Sequence, residues 1–206
     1  MKYFITLLIV AGIAGSLLSQ GFEKNGNFPI ECVSAEELKL YTMIMEYRKK
    51  LNLPAIPLSA SLTRVAHEHC IDLHVNKPDL GEGCNAHSWS EEGEWTACCY
   101  TPDHKKAECM WNKPKELAGY TGFGFEIACG SSEPQYEGYV MTADYALGSW
   151  QKSKGHNAVI TNQTPWKDYT WNAIGIGIYK GFAVAWFGTQ KDRVPEPEVC
   201  RSLPGD

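Results

Sequence analysis

The sequence lacks the clusters of basic residues that a nucleic-acid-binding surface needs. Asp and Glu outnumber Lys and Arg by 24 to 19, and the formal net charge is −5 at pH 7. No run of Lys and Arg forms a basic patch, so nucleic acid is a poor candidate partner. The 206 residues are 44% hydrophobic and 21% charged, which is enough to build one sizeable core. We therefore expect one domain that does not bind nucleic acid.

Three short motifs of hydrolases and metalloproteins are missing as well. No Gly-x-Ser-x-Gly occurs, so the nucleophile elbow of the α/β-hydrolases is absent. Residues 67–71 read His-Glu-His-Cys-Ile rather than His-Glu-x-x-His, the motif of the zinc-protease helix. No Cys-x-x-Cys pair occurs, although such pairs are typical of structural zinc sites. The sequence leaves enzymatic activity open and favours a protein that is not an enzyme.

Long apolar runs are scarce, and the one that stands out covers residues 1–19. It carries one lysine, is interrupted by glycine and has small residues near its end, so it predicts a cleaved signal peptide and no stable membrane span. No cysteine ends the run, which argues against bacterial lipoprotein processing. We expect a secreted protein, or a periplasmic one if its source is bacterial. The predicted organisation is a signal peptide (1–19), a flexible entry (20–33), a folded domain (34–192) and an irregular tail (193–206).

Cysteine is abundant. An even number in a chain predicted to be exported favours a disulfide framework, although four bridges among eight cysteines allow about 105 connectivities. Cys98 and Cys99 are adjacent, and a ring between neighbours is strained, so we expect them to bond to separate partners. The eight are Cys32, Cys70, Cys84, Cys98, Cys99, Cys109, Cys129 and Cys200.

Two helices are predicted in the first part of the domain. Ser34 and Glu37 form a capping box, and the helix that it opens stops before Pro54. The second helix starts at Ser59 or Ser61 and ends near residues 76–78.

The second helix carries histidines on two faces. His69 falls on the apolar face, which we assign to the core. His67, Cys70 and His74 share another face at i, i+3 and i+7 and could hold a metal. The simpler interpretation is a pair of surface histidines beside a disulfide-bonded cysteine.

The middle of the chain predicts little regular structure. Residues 76–121 are rich in Gly, Trp and Cys and lack periodicity, as in a long loop held by disulfides. The glycines of residues 121–129 permit a tight backbone path before a short apolar turn. Asn162-Gln-Thr164 is an N-glycosylation sequon, which matters only in a eukaryotic source.

The last part of the domain predicts a helix followed by a hairpin. Gly155 is placed to end the helix, which leaves His156 on the turn after it. Residues 171–179 and 182–187 form two strands, and Lys180-Gly181 can turn one back into the other. The first strand has glycine at alternate positions, which predicts a central strand with a flat face on which a helix can lie closely.

These residues carry a resemblance to a known family. Ser153-Lys-Gly-His156-Asn-Ala-Val-Ile160, followed by the two strands, resembles the SxGHxxxI core of the CAP superfamily, in its bacterial-type variant. This superfamily comprises the SCP-like extracellular domains, among them plant PR-1 proteins and venom allergens. His87-Ser88 and, more loosely, residues 124–128 match further family motifs, and the similarity spans residues 36–189.

The resemblance implies a fold and a site. The fold would be α+β, a three-layer α-β-α sandwich with a central antiparallel sheet, here stapled by disulfides. His87, Glu126, Ser153 and His156 would line a central cavity, and His87 and His156 would bind a divalent metal, often zinc. Two imidazoles fill only half of a tetrahedral shell, so the site should be weak. The fuller motif has Glu three residues after Trp, but here Ser153 follows Trp150, and the second acid is missing.

Three functions are compatible with these features. The first is a non-enzymatic secreted domain that binds a small apolar ligand, such as a lipid or sterol, or a protein partner. The second is a metal-assisted or His/Glu-dependent hydrolase that uses His87, Glu126 and His156. The third is a structural interaction domain whose cavity residues only hydrogen-bond one another. The first hypothesis draws on aromatic residues that we expect on surface loops: Trp89, Trp95, Tyr100, Trp111 and Trp166.

Overall fold

The computed structural model describes residues 32–200. The predicted signal peptide, most of the predicted entry segment and residues 201–206 lie outside the described residues. The described part contains six α-helices: α1 (Ala35–Lys50), α2 (Ala60–Asn76), α3 (Ala107–Trp111), α4 (Lys113–Ala118), α5 (Ala143–Lys152) and α6 (Lys154–Ile160). It also contains five strands: β1 (Cys32–Val33), β2 (Gly124–Cys129), β3 (Ala173–Tyr179), β4 (Phe182–Gly188) and β5 (Glu198–Val199).

The main sheet is antiparallel and has the strand order β2–β4–β3. The predicted hairpin of β3 and β4 is confirmed, with Lys180 in the left-handed conformation between them. Two expectations were wrong. The glycine-bearing strand β3 lies at the edge of this sheet, and β4 is the central strand. The glycine-rich segment predicted to lead into a turn forms β2, because all six of its residues pair with β4.

Side chains that point alternately to the two faces of the sheet produce the three predicted layers. Phe125, Ile127 and Cys129 of β2 join a core with residues of α1, α5 and α6. Ala128 and the β4 residues on the same face, Val184 and Trp186, join a second core with residues of α2 and α3. Because successive side chains of a strand point to opposite faces, the sheet separates the two helical layers. The α+β sandwich is therefore confirmed.

Helix α2 lies on the glycine face of β3, as predicted. A Cβ atom on Gly177 would come within 2.6 Å of the carbonyl carbon of Ala66. At Gly175 a Cβ atom would overlap the backbone of Leu62 and Thr63. The two glycines thus set how closely the helix backbone approaches the sheet.

The start of α1 is held by the predicted capping box. The Glu37 N–H donates to Ser34 Oγ at 3.2 Å, and the Ser34 N–H donates to Glu37 Oε2 at 2.7 Å. Glu37 is buried, and its Oε1 also accepts the Ile178 N–H at 2.8 Å and lies 2.8 Å from His67 Nε2. The expectation that His67 lies at the surface was wrong, because it packs against this carboxylate with no exposed side-chain area. His74 on the same helix is exposed.

Three disulfides staple the domain: Cys32–Cys200, Cys84–Cys99 and Cys98–Cys109. The separate partners of Cys98 and Cys99 are confirmed. A fourth bridge does not form, and the expectation that Cys70 is oxidised was wrong, since Cys70 and Cys129 are buried free thiols. Cys70 belongs to the α2 layer and Cys129 to the α1 layer, so the sheet stands between them.

The two ends of the described chain meet. Cys32 and Cys200 are joined by a disulfide at strands β1 and β5, which pair in parallel, so Cys200 holds the described end of the chain against its start. Between residues 32 and 200, none of the helices combines the length and the apolar character needed to span a bilayer.

Candidate functional site

Glu126 lies at the centre of a buried chain of polar side chains. It is on β2, on the face that carries Ala128, and its side chain has no exposed area. Oε1 lies 2.5 Å from His69 Nδ1, and Oε2 lies 2.7 Å from His87 Nδ1. One carboxylate therefore joins helix α2 to the loop that carries His87.

His69 is the site residue that sequence reasoning missed. It lies on α2, has no exposed side-chain area, and its Nε2 is 2.9 Å from the carbonyl oxygen of Ser88. Its ring stacks on Trp89 with a centroid distance of 4.2 Å and an interplanar angle of 7°. The apolar stripe of α2 placed His69 in the core, which is correct. Its role in the site could have been inferred from chemistry, because an imidazole buried in the core needs polar partners to hydrogen-bond to.

His87 is held by a turn in the segment between α2 and α3. The His87 N–H donates to Asn85 Oδ1 at 3.0 Å, and the Asn85 N–H donates to Ser88 Oγ at 3.2 Å. Ser88 Oγ also accepts the N–H of Tyr100 at 3.0 Å, which ties the turn to the next stretch of chain. The His87 side chain is 17% exposed and is the most open member of the hydrogen-bonded chain.

His156 lies in the first turn of α6, not on a turn after a helix. Helix α5 ends at Lys152, and Ser153 caps α6, because its Oγ accepts the His156 N–H at 3.4 Å. Gly155 does not end a helix, because it lies inside α6 and does not adopt the left-handed conformation of a C-terminal glycine. The hydroxyl of Ser153 therefore acts as a helix cap.

The structure brings two of the predicted cavity histidines close together. The ring centroids of His87 and His156 are 6.3 Å apart, in an edge-on arrangement. His156 lies on α6 and His87 on the loop after α2. They meet beside β2, the edge strand that carries Glu126, because His87 is hydrogen-bonded to Glu126. His87 thus lies next to both Glu126 and His156.

Burial and charge determine the protonation of these groups. Burial raises the pKa of Glu126, but the charges and hydrogen bonds of His69 and His87 outweigh it and hold the pKa below its ordinary value. Burial lowers the pKa of His69, but Glu126 outweighs it, and the pKa lies above its ordinary value. Burial, followed by the charge of His87, lowers the pKa of His156 to about 4. His156 is therefore neutral at pH 7.

The residues fit a two-histidine metal site and no larger one. His87 donates Nδ1–H to a carboxylate, which is how metal-bound histidines are usually oriented, and this leaves Nε2 for a metal. Zn–N bonds of about 2.0–2.1 Å place two imidazole centroids on one ion about 5–6 Å apart. The observed centroid distance of 6.3 Å is slightly longer than that range. Among residues 32–200, no group of three or more His, Cys, Asp and Glu side chains is arranged to hold a metal.

The predicted surface aromatics divide into buried and accessible ones. Trp89 and Tyr100 are buried, at 2% and 5% exposure, so the expectation was wrong for both. They are buried because Trp89 stacks on His69 and Tyr100 packs edge-on against His87. Trp95, Trp111 and Trp166 are partly exposed.

A cluster of aromatic rings surrounds Phe125 on the opposite face of β2 from Glu126. We call it the Phe125 cluster, and two members are well exposed: Phe123 at 47% and Tyr169 at 40%. Its members are Trp111, Phe123, Phe125, Trp166, Tyr169 and Trp171.

Comparison with solved structures identifies the fold. An extracellular protein of Bacillus anthracis str. Ames that contains an SCP domain matches with a TM-score of 0.51 and 17% sequence identity. The match covers 75% of this chain and 40% of that one. The fold is that of an SCP domain. The fold that the sequence motifs predicted is thus confirmed by a structural likeness.

Two further solved structures show weaker likeness to this SCP fold. An outer surface protein of Borrelia burgdorferi has a TM-score of 0.48 at 21% identity, covering 76% of this chain and 95% of that one. A cysteine-rich secretory protein of Staphylococcus aureus has a TM-score of 0.46 at 13% identity, covering 75% and 39%. The chain therefore spans about two fifths of the Bacillus and Staphylococcus proteins. No protein-family model matches this sequence, and no curated protein matches it.

Proposed function

We propose that this SCP-fold protein is a secreted binding domain rather than an enzyme, and that His87 and His156 bind a divalent metal, with zinc as the leading candidate. The observation that carries the proposal is that two imidazole rings lie close enough together to be considered as ligands of one metal ion. His87 is oriented by Glu126 through Nδ1, and His156 faces it at 6.3 Å with a pKa of about 4. The His156 ring is neutral at pH 7, as metal ligation requires.

The proposed site is incomplete, which suggests binding rather than catalysis. Both oxygens of Glu126 accept hydrogen bonds from histidines, so this carboxylate is engaged in orienting them. Ser153 stands where the fuller motif has a second acid, and its hydroxyl caps α6. A metal on His87 and His156 would need water or a donor group from a ligand or protein partner to complete its shell. The metal would then link this domain to its partner.

The disulfides support an oxidising location. Three bridges with sequence separations of 168, 15 and 11 residues hold the two ends and the loop that carries His87. Structural disulfides of this kind persist in secreted and periplasmic proteins and are rare in the cytosol. The Bacillus protein with the similar fold is described as extracellular.

Zinc titration by calorimetry on the oxidised chain tests the metal proposal. We expect saturable binding of one ion at pH 7, with loss of binding in His87→Asn and in His156→Asn. His74→Asn is the matched control, because His74 is exposed on α2 and should leave the affinity unchanged. Absence of saturable binding, or binding that survives both site variants, would refute the proposal.

A second candidate function is the binding of an apolar ligand at the Phe125 cluster. The exposure of Phe123 and Tyr169 beside partly buried Trp166 favours it, because aromatic rings offer apolar area at small cost in side-chain entropy. Quenching or shift of tryptophan fluorescence by lipid vesicles or a soluble sterol tests this candidate. An equal response in Trp166→Ala would contradict it.

The hydrogen bonds that orient His87 also support the alternative that this protein is a structural interaction domain whose cavity residues only hydrogen-bond one another. If the His69–Glu126–His87 chain serves only to hold the fold, Glu126→Gln should lower stability while zinc binding is absent in the wild-type protein. Leaving buried polar partners unpaired costs about 1–3 kcal/mol, so the effect is measurable by urea unfolding. Saturable zinc binding by the wild-type protein would argue against the alternative.

A further inference from the structure

His69 contacts two different supports of His87. Its Nε2 lies 2.9 Å from the carbonyl oxygen of Ser88, the residue that follows His87 in the chain. Its Nδ1 lies 2.5 Å from Glu126 Oε1, and the other oxygen of Glu126 lies 2.7 Å from His87 Nδ1. His69 therefore touches the backbone beside His87 and the carboxylate that orients its ring.

The chemistry of these partners fixes the donors. A backbone carbonyl can only accept a hydrogen bond, so His69 Nε2 must carry a proton. A carboxylate also only accepts, so Nδ1 must carry a second proton. His69 is then an imidazolium, and its parallel stacking on Trp89 at 4.2 Å suits a cation over an aromatic face.

We infer that His69 is a positioning residue that fixes the Nδ1–H tautomer of His87 and so reserves His87 Nε2 for ligation. His69 occupies one oxygen of Glu126 as a donor, and the other oxygen accepts the proton on His87 Nδ1. Through Ser88 it also holds the turn that carries His87. The inference rests on the proposed function only for the use of Nε2, since the tautomer is a property of the metal-free protein.

Removal of His69 should release both supports. Glu126 is buried, and without its partner on α2 it has one histidine left to bond. A carboxylate in that position can rotate away from His87, whose Nδ1–H would then lose its acceptor. The proton of the His87 ring could then lie on either nitrogen, and a ring that carries it on Nε2 could not bind a metal through that atom. Loss of such an outer partner typically lowers metal affinity 10–100-fold.

Nitrogen-15 NMR of the histidine rings in the metal-free protein tests the inference. In the wild-type protein we expect two protonated nitrogens on His69 and the Nδ1–H tautomer on His87. In His69→Leu we expect His87 to lose that single tautomer and zinc affinity to fall at least tenfold. His74→Gln on the same helix is the matched control and should change neither signal. His69→Gln, which keeps polar contacts in the core, serves if His69→Leu does not fold.

The outcomes separate this inference from the metal proposal. If wild-type His69 has one protonated nitrogen, or if a folded His69 variant keeps the His87 Nδ1–H signal with wild-type zinc affinity, the inference is overturned. If the wild-type protein binds no zinc, the metal proposal fails, and the tautomer of His87 in the variants still decides the role of His69. A purely structural His69 would lower stability without changing that tautomer.

Discussion

Replacement of Gly175 by alanine should separate α2 from the sheet. A Cβ atom there would overlap the backbone of Leu62 and Thr63, and backbone atoms cannot rotate away as the end of a side chain can. Overpacking in a close-packed core costs about 1–3 kcal/mol. Alanine at a strand position also recovers about 0.5–1 kcal/mol of the entropy that glycine loses on folding. We expect the clash to dominate and Gly175→Ala to lose about 1–2 kcal/mol of unfolding free energy.

The same replacement should have the opposite sign where space is open. Gly148 lies inside α5, and an added Cβ atom would have no neighbour within 4 Å. Alanine is favoured over glycine in a helix interior by about 1 kcal/mol, so Gly148→Ala should stabilise the protein. Urea unfolding of the oxidised chain, with midpoint and slope compared among the wild-type protein and both variants, measures the pair.

The pair of variants gives a clear refutation. If Gly175→Ala is as stable as the wild-type protein, α2 is not held by backbone contact with β3, and the packing argument fails. A displaced α2 would also move His69 relative to Glu126, since His69 lies on α2 and Glu126 on β2. Reduced zinc binding in Gly175→Ala, with wild-type binding in Gly148→Ala, would follow from that displacement.

Two further predictions concern single side chains. Asn162 should carry no glycan in protein secreted from eukaryotic cells, because its Oδ1 accepts from Arg48 at 2.8 Å and its Nδ2 donates to the Tyr169 carbonyl at 2.9 Å. A mass shift on glycosidase treatment of folded protein would contradict this. When the pH is lowered from 6.5 to 4, the free energy of unfolding of His156→Asn should fall less than that of the wild-type protein. The pKa of His156 is lowered to about 4, so the unfolded chain takes up the proton first and wild-type stability falls through this range, by up to about 3 kcal/mol and less for a partly exposed ring. Unfolding midpoints at pH 7, 5 and 4 measure it, and equal losses would refute it.

Local signals in the sequence predicted much of the frame. Ser34 and Glu37 lie within one helical turn, so their capping box depends on nothing distant. The alternate glycines of β3 predicted that a helix lies close against them, and α2 does, because only residues without side chains allow that approach. The separate partners of Cys98 and Cys99 followed from ring strain between neighbours.

The site was predictable only in part, because its contacts join distant segments. His69 and Glu126 are 57 residues apart, and nothing near either in the chain indicates the other. A glycine such as Gly155 is typical of a helix end, but Ser153 is the N-cap of a new helix that contains it. Cys70 was assigned to a disulfide by the even count of cysteines, and only the fold shows that the sheet separates it from Cys129.

The bond between Cys32 and Cys200 has a mechanical consequence. The α-carbons of the two residues are 5.0 Å apart, while 168 positions of sequence separate them. Tension applied between the chain before Cys32 and the chain after Cys200 would pass directly through this bond. The helices and the sheet would carry almost none of the load while the bond is oxidised. A reducing agent would therefore act as a release, after which the same pull would be transmitted through the fold and would begin to extend it.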